Sequence, residues 1–205
     1  LAAGAIALLA AGGAAAVFIA QPLRHSHTVA GLARADAPAA ERPVSASATP
    51  TPPSQSAQQR AAENLAGLLA QSVMDRSSIV NAASSVSQCG PTLSQDPQVF
   101  ENASVARQRL LSQLASLPGR SALSGQMLQA LTGAWLASAT ADQDFARWAQ
   151  DELSQGCIPG DQADPSFQAA AGPDGQATAG KKAFVNLWNP TAAQYRLPSY
   201  RWNQL

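Results

Sequence analysis

The residues of this chain whose types and spacing could do chemistry are two cysteines, Cys89 and Cys157, and four carboxylates in one short stretch, Asp142, Asp144, Asp151 and Glu152. Paired carboxylates are the machinery of glycoside hydrolysis, one acting as acid and the other as base or nucleophile. Helical spacing turns Asp144 and Asp151 away from the Phe145/Trp148 stripe, toward solvent. Only Glu152 approaches the apolar edge, where burial would raise its pKa. The chain's two histidines, His25 and His27, lie far upstream, so from Gln58 onward the commonest general base and zinc ligand is missing. Ser-His-Asp catalysis cannot be assembled there, and Gly-x-Ser-x-Gly, Ser-x-x-Lys and phosphate-cradling glycine loops do not occur. His25 and His27 could hold a transition metal loosely, but nothing supplies the other two ligands of a structural zinc site. No catalytic, metal or cofactor residues are therefore assigned. Lys181-Lys182 reads as a solvated helix face.

The carboxylates ride on the longest uninterrupted helical pattern, Leu123 to Cys157. Leu123, Met127, Leu131, Ala134/Trp135, Ser138, Ala141, Phe145, Trp148 and Glu152/Leu153 recur at three- and four-residue steps, and Gly156 and Pro159 close the pattern. An earlier helix starts at Ser56, with Gln59 at capping-box spacing, and steps through Leu65, Leu68/Leu69, Val73, Ile79/Val80 and Val86 to Cys89, ending at Gly90-Pro91. A second starts at Asp96-Pro97 and runs through Phe100, Ala103, Leu110 and Leu114 to Pro118-Gly119. Short connections make these three helices antiparallel, which delivers both cysteines to one end of the bundle. A disulfide there would stabilise the fold by ~4 kcal/mol in the chain-entropy model. A redox or metal role would call for Cys-x-x-Cys spacing or a nearby histidine, and neither is present.

A fourth helix opens at Asp164 or Ser166, and Gly172-Pro173-Asp174-Gly175 is expected to break it. The pattern resumes with Ala177, Lys181, Phe184/Val185 and Trp188, and Asn189-Pro190 is expected to cap one more short turn ending by Leu197-Pro198. The expected fold is all-α: an up-down antiparallel bundle over residues 57–205, three long helices with a broken fourth and a short C-terminal helical turn. Helix four should return the aromatic tail to the base of the bundle. Trp188 and Tyr195 are expected to close the core there, and Tyr200 and Trp202 to contact a partner.

Residues 1–20 carry no charged or polar side chain, and a helix of that length covers the ~30 Å core of a bilayer. They read as a single membrane span, a signal anchor, with a cleaved signal peptide as the competing reading. Residues 21–56, rich in Ala, Pro, Ser and Thr, read as a disordered linker that would average roughly 30–35 Å end to end. Arg24 and Arg34 argue for a cytoplasmic C-terminal part, but long domains translocate largely regardless of charge, and the cysteines suit an oxidising compartment. The domain is thus expected outside the membrane. Thirteen basic residues balance thirteen acidic ones, so no electrostatic footprint for nucleic acid exists.

The segment Lys181-Lys182-Ala183-Phe184-Val185-Asn186-Leu187-Trp188-Asn189-Pro190 carries a resemblance. Taken with Tyr195, Leu197-Pro198, Trp202, Ala134-Trp135 and the two cysteines, the chain from Asp75 to Leu205 resembles a group of uncharacterised secreted or single-span membrane proteins of actinobacteria, Streptomyces in particular. The resemblance implies an extracytoplasmic helical domain and carries over no active-site residues. The expected role is contact with an envelope protein or cell-wall component, or a structural role at the cell envelope; a two-carboxylate cell-wall glycosidase and a helical small-molecule binder are the alternatives.

Overall fold

The computed structural model describes residues 56–205. The expected membrane span at 1–20, the linker up to residue 55, and His25 and His27 lie outside the described residues. Among the described residues the chain is all-helical: α1 (Ala57–Met74), α2 (Arg76–Ser87), α3 (Asp96–Ala115), α4 (Gly125–Gln155) and α5 (Pro165–Tyr195), with short 3-10 turns at Arg120–Ala122 and Trp202–Gln204. With α1 and α2 forming one column, four columns pack antiparallel, and α4 is the central one, flanked by α3 and α5.

The starts of α1 and α5 follow side-chain chemistry. The Ser56 hydroxyl accepts from the Gln59 N–H at 3.0 Å, and the Asp164 carboxylate accepts from the Ser166 and Phe167 N–H groups at 2.8 and 2.9 Å. Each satisfies donors that the first helical turn leaves open.

Two expectations are corrected. The first helix is not continuous: it breaks at Asp75. There the Arg107 guanidinium donates to the Ser72 carbonyl at 3.2 Å and to its hydroxyl at 2.8 Å. Asp75, Ser77 and Ser78, which compete locally for backbone hydrogen bonds, offer little resistance to the break. The fourth helix, by contrast, is unbroken. Pro173 and Pro190 both lie inside α5, so Asn189-Pro190 opens no new helix and the C-terminal turn forms at Trp202–Gln204 instead. A proline disfavours helical geometry in its predecessor partly through that residue's Cβ. Gly172 has none. Ala170 and Ala177, both fully packed, pin the helix on either side of Pro173.

The tail folds back on α5. The Trp188 indole N–H donates to the Pro198 carbonyl at 2.9 Å; Asn189 donates to the Tyr200 carbonyl and accepts its N–H, both at 3.0 Å. Lys182 sits 4.8 Å over the Trp202 ring, and Leu205 is wholly buried. Trp188 is core, as expected; Tyr195 is half-buried at its margin, its hydroxyl donating to Gln58 at 2.8 Å.

The buried apolar residues fall into two cores. The tail-end core gathers Leu65 and Leu69 of α1, Leu110 and Leu114 of α3, Met127, Leu131 and Trp135 of α4, and Phe184 and Trp188 of α5. The smaller core at the other end holds Ile79, Ala82 and Val86 of α2, Phe100 and Ala103 of α3, and Ala146, Trp148 and Ala149 of α4, with Phe145 and Phe167 against them. At that end Cys89 and Cys157 form the expected disulfide, their α-carbons 5.7 Å apart.

Candidate functional site: a buried charged layer

Between the two cores every column contributes a buried polar side chain: Ser72 from α1, Ser104 and Arg107 from α3, Ser138 and Asp142 from α4, and Lys181 from α5. On α3, on α4 and along the α1–α2 column these residues fall between the buried residues of the two cores, and Lys181 falls between Phe184 of the tail-end core and Phe167 against the smaller one. Arg107 is 2% exposed, and Asp142 and Lys181 are 6% exposed, so three ionisable groups share a region with little water.

Charge in such a place is costly, and the groups respond. Burial pushes the Asp142 carboxyl up to about 6, against the opposing pull of Arg107 and Lys181. Burial likewise lowers Lys181 to about 8, aided by Arg76 and Arg107 and opposed by Asp174 and Asp142. The Arg107 pKa is lowered from its ordinary value by the same desolvation, with Asp142 and Asp75 acting against it. Arg107 Nε, Trp135 Nε1, Ser138 Oγ and Asp142 Oδ2 have no hydrogen-bond partner among the described residues. Ser104 is satisfied by donating to the Ala139 carbonyl at 3.0 Å.

Lys181 is therefore a buried member of this layer, and its expected place on a solvated face is corrected; Lys182 does lie on the exposed side. Asp144, expected toward solvent, is also buried and pairs with Arg147. Asp151 accepts from the Ser166 hydroxyl at 2.7 Å. Glu152, buried as expected, accepts from the Trp148 indole N–H and the Ile158 N–H, both at 3.2 Å. Its carboxylate thus fixes the chain where α4 ends, next to Cys157. A depression of about 130 Å³ borders Asp151, Glu152, Asp161 and Asp164, but Asp161 and Asp164 also accept backbone N–H groups of their own loop. The structure brings Asp142, Arg107 and Lys181 together, and it does not gather Asp142 with Glu152.

A groove of about 240 Å³ lies between α2 and α3, lined by Asp75, Ser78, Ile79, Val99, Asn102 and Ala103 among others. That is below the ~300–1,000 Å³ typical of small-molecule sites. Tyr200 and Trp202 are half-buried against the tail-end core. No family model, curated protein or solved structure matches the chain.

Proposed function

We propose that residues 57–205 form the extracytoplasmic helical module of a membrane-anchored protein, acting at the cell envelope by contact with an envelope protein or cell-wall component. The Cys89–Cys157 disulfide carries this reading, because such bonds persist in oxidising compartments and are rare elsewhere. The apolar stretch at 1–20 and the linker at 21–56 supply the anchor and the reach. The actinobacterial resemblance agrees with that location.

Contact is favoured over catalysis by what the carboxylates already do. Glu152 holds Trp148 and Ile158, Asp151 holds Ser166 and Asp144 holds Arg147, so these three are engaged in maintaining the fold, and the fourth, Asp142, is shut in the buried layer. Tyr200 and Trp202 are the proposed contact pair. They are half-buried aromatics on a tail fixed in place by Asn189 and Lys182, which spares a partner the entropy of ordering them. A photo-crosslinking residue at Trp202 of the full chain, activated in intact cells, should give a discrete adduct with an envelope component. The same residue at Arg109, on the exposed side of α3, should not. Equal labelling from both positions would contradict a contact surface on the tail.

A further inference from the structure

α2 is held by three buried side chains and by a tie at each end. Of its residues only Ile79, Ala82 and Val86 are buried, and they rest on the small core of Phe100, Trp148 and Ala149. Its N-terminal end is the break at Asp75, gripped through Ser72 by Arg107. Its C-terminal end is tied to the loop after α4 by the disulfide, by the Gly160 N–H donating to the Ser87 carbonyl at 2.8 Å, and by a long contact of Cys157 Sγ with the Val86 carbonyl at 3.5 Å. Cys89 takes a positive φ of 51°, a left-handed conformation that costs a residue with a Cβ and that the bridge helps to hold. Both cysteines are only half-buried, so a small thiol can reach the bond.

We infer that α2 is a strap over the disulfide-end core, hinged at Asp75 and latched by Cys89–Cys157, and that thiol reduction of the latch opens the strap while the tail-end core stays folded. The chemistry is disulfide exchange with a dithiol. One thiolate of the reductant attacks a cysteine sulfur, breaking the bond between the cysteines and forming a mixed disulfide. The cysteine released in that step leaves as a thiolate and takes up a proton; the reductant's second thiol, as thiolate, then attacks the reductant's first sulfur and expels the attacked cysteine, which is protonated in turn. The cysteines end as two thiols and the reductant as a cyclic disulfide.

The charged layer is what lets the two ends part company. Ser72, Arg107, Asp142 and Lys181 interrupt the apolar contact that would otherwise couple the cores into one cooperative unit. The tail-end core is the larger, and Leu205, Tyr200 and Trp202 close it without help from the disulfide. Opening the strap uncovers the aromatic group of Phe100, Phe145, Trp148 and Phe167, whose neighbouring ring centres lie 5.0–6.4 Å apart. The result is an apolar surface gated by thiol redox, a property of the fold wherever the module resides.

Amide hydrogen exchange of the full chain, read by mass spectrometry with and without dithiothreitol, tests this. Reduction should speed exchange in Arg76–Ser87 by about tenfold or more beyond any change in Ala57–Leu69 and Phe184–Ala192. Unchanged protection of α2 would overturn the strap, and equal loss of protection at both ends would overturn its independence. Replacing both cysteines, Cys89→Ser with Cys157→Ser, should give the same pattern without reductant. A double variant unprotected throughout would likewise overturn the inference.

Discussion

Asp142 and Lys181 make the pH dependence of this protein unusual. The folded chain holds a proton on Asp142 up to about 6, whereas an ordinary aspartate releases it near 3.8. In that interval the folded state binds more protons than the unfolded, so stability falls as pH rises through it. Lys181 titrates at about 8 when folded and near 10.5 when unfolded. Between those values the unfolded chain binds the extra proton, so stability rises with pH. The layer thus contributes a minimum between about 6 and 8, each limb worth roughly 3 kcal/mol at ~1.4 kcal/mol per pKa unit. Urea unfolding across pH 4–10 checks this by difference: Asp142→Asn should remove the acid limb and Lys181→Met the alkaline one. A variant whose pH profile parallels the wild type would contradict the assignment of that limb. The sequence held the signal for both residues. Lys181 stands four residues after Ala177 and three before Phe184, on the buried stripe, while Asp142 follows Ser138 by four and Arg107 falls between Ala103 and Leu110. Charge suggested solvent, but position on the stripe decided burial, because neighbouring helices bring compensating charge that one helix's pattern cannot reveal.

Among the elements, α4 and α5 carry the closest approach. A Cβ added to Gly180 would stand 2.9 Å from the Ala134 Cβ and 3.1 Å from its backbone Cα and N, so the two helices meet where both side chains are small. Gly180→Ala should cost ~1–3 kcal/mol through overpacking. Gly175→Ala, exposed in the same helix with nothing near its Cβ direction, should gain ~0.5–1 kcal/mol from lower backbone entropy in the unfolded chain. Thermal unfolding of the two variants checks the contrast, and a shift of the same sign in both would contradict the contact. The same helix marks where local rules gave way. Gly172-Pro173-Asp174-Gly175 carries strong breakers, yet α5 stays helical through them, with Ala170 and Ala177 packed on either side. At Asp75 the pattern was apolar on both sides, and the helix breaks where Arg107, thirty-odd residues away in sequence, reaches Ser72. What was legible came from long periodic stripes and caps: α3, α4, the antiparallel order and the meeting of Cys89 with Cys157. What was not legible depended on contacts between helices.

Taken together, residues 56–205 form a bundle with two apolar ends, a charged middle and a different fastening at each end. The tail closes one end through Trp188, Asn189 and Leu205. The disulfide closes the other, and in the chain-entropy model a bridge across 68 residues is worth ~4 kcal/mol. That bond also ties the fold to the proposed location, since a reducing compartment would keep the two thiols apart and the strap unlatched. Trapping the thiols of the full chain by acid quench in unstressed cells, then alkylating them with a mass tag, tests the proposed location most directly. The oxidised module should take no tag without prior reduction and two tags after it. Two tags on the chain as it comes from the cell would contradict an oxidised module outside the membrane.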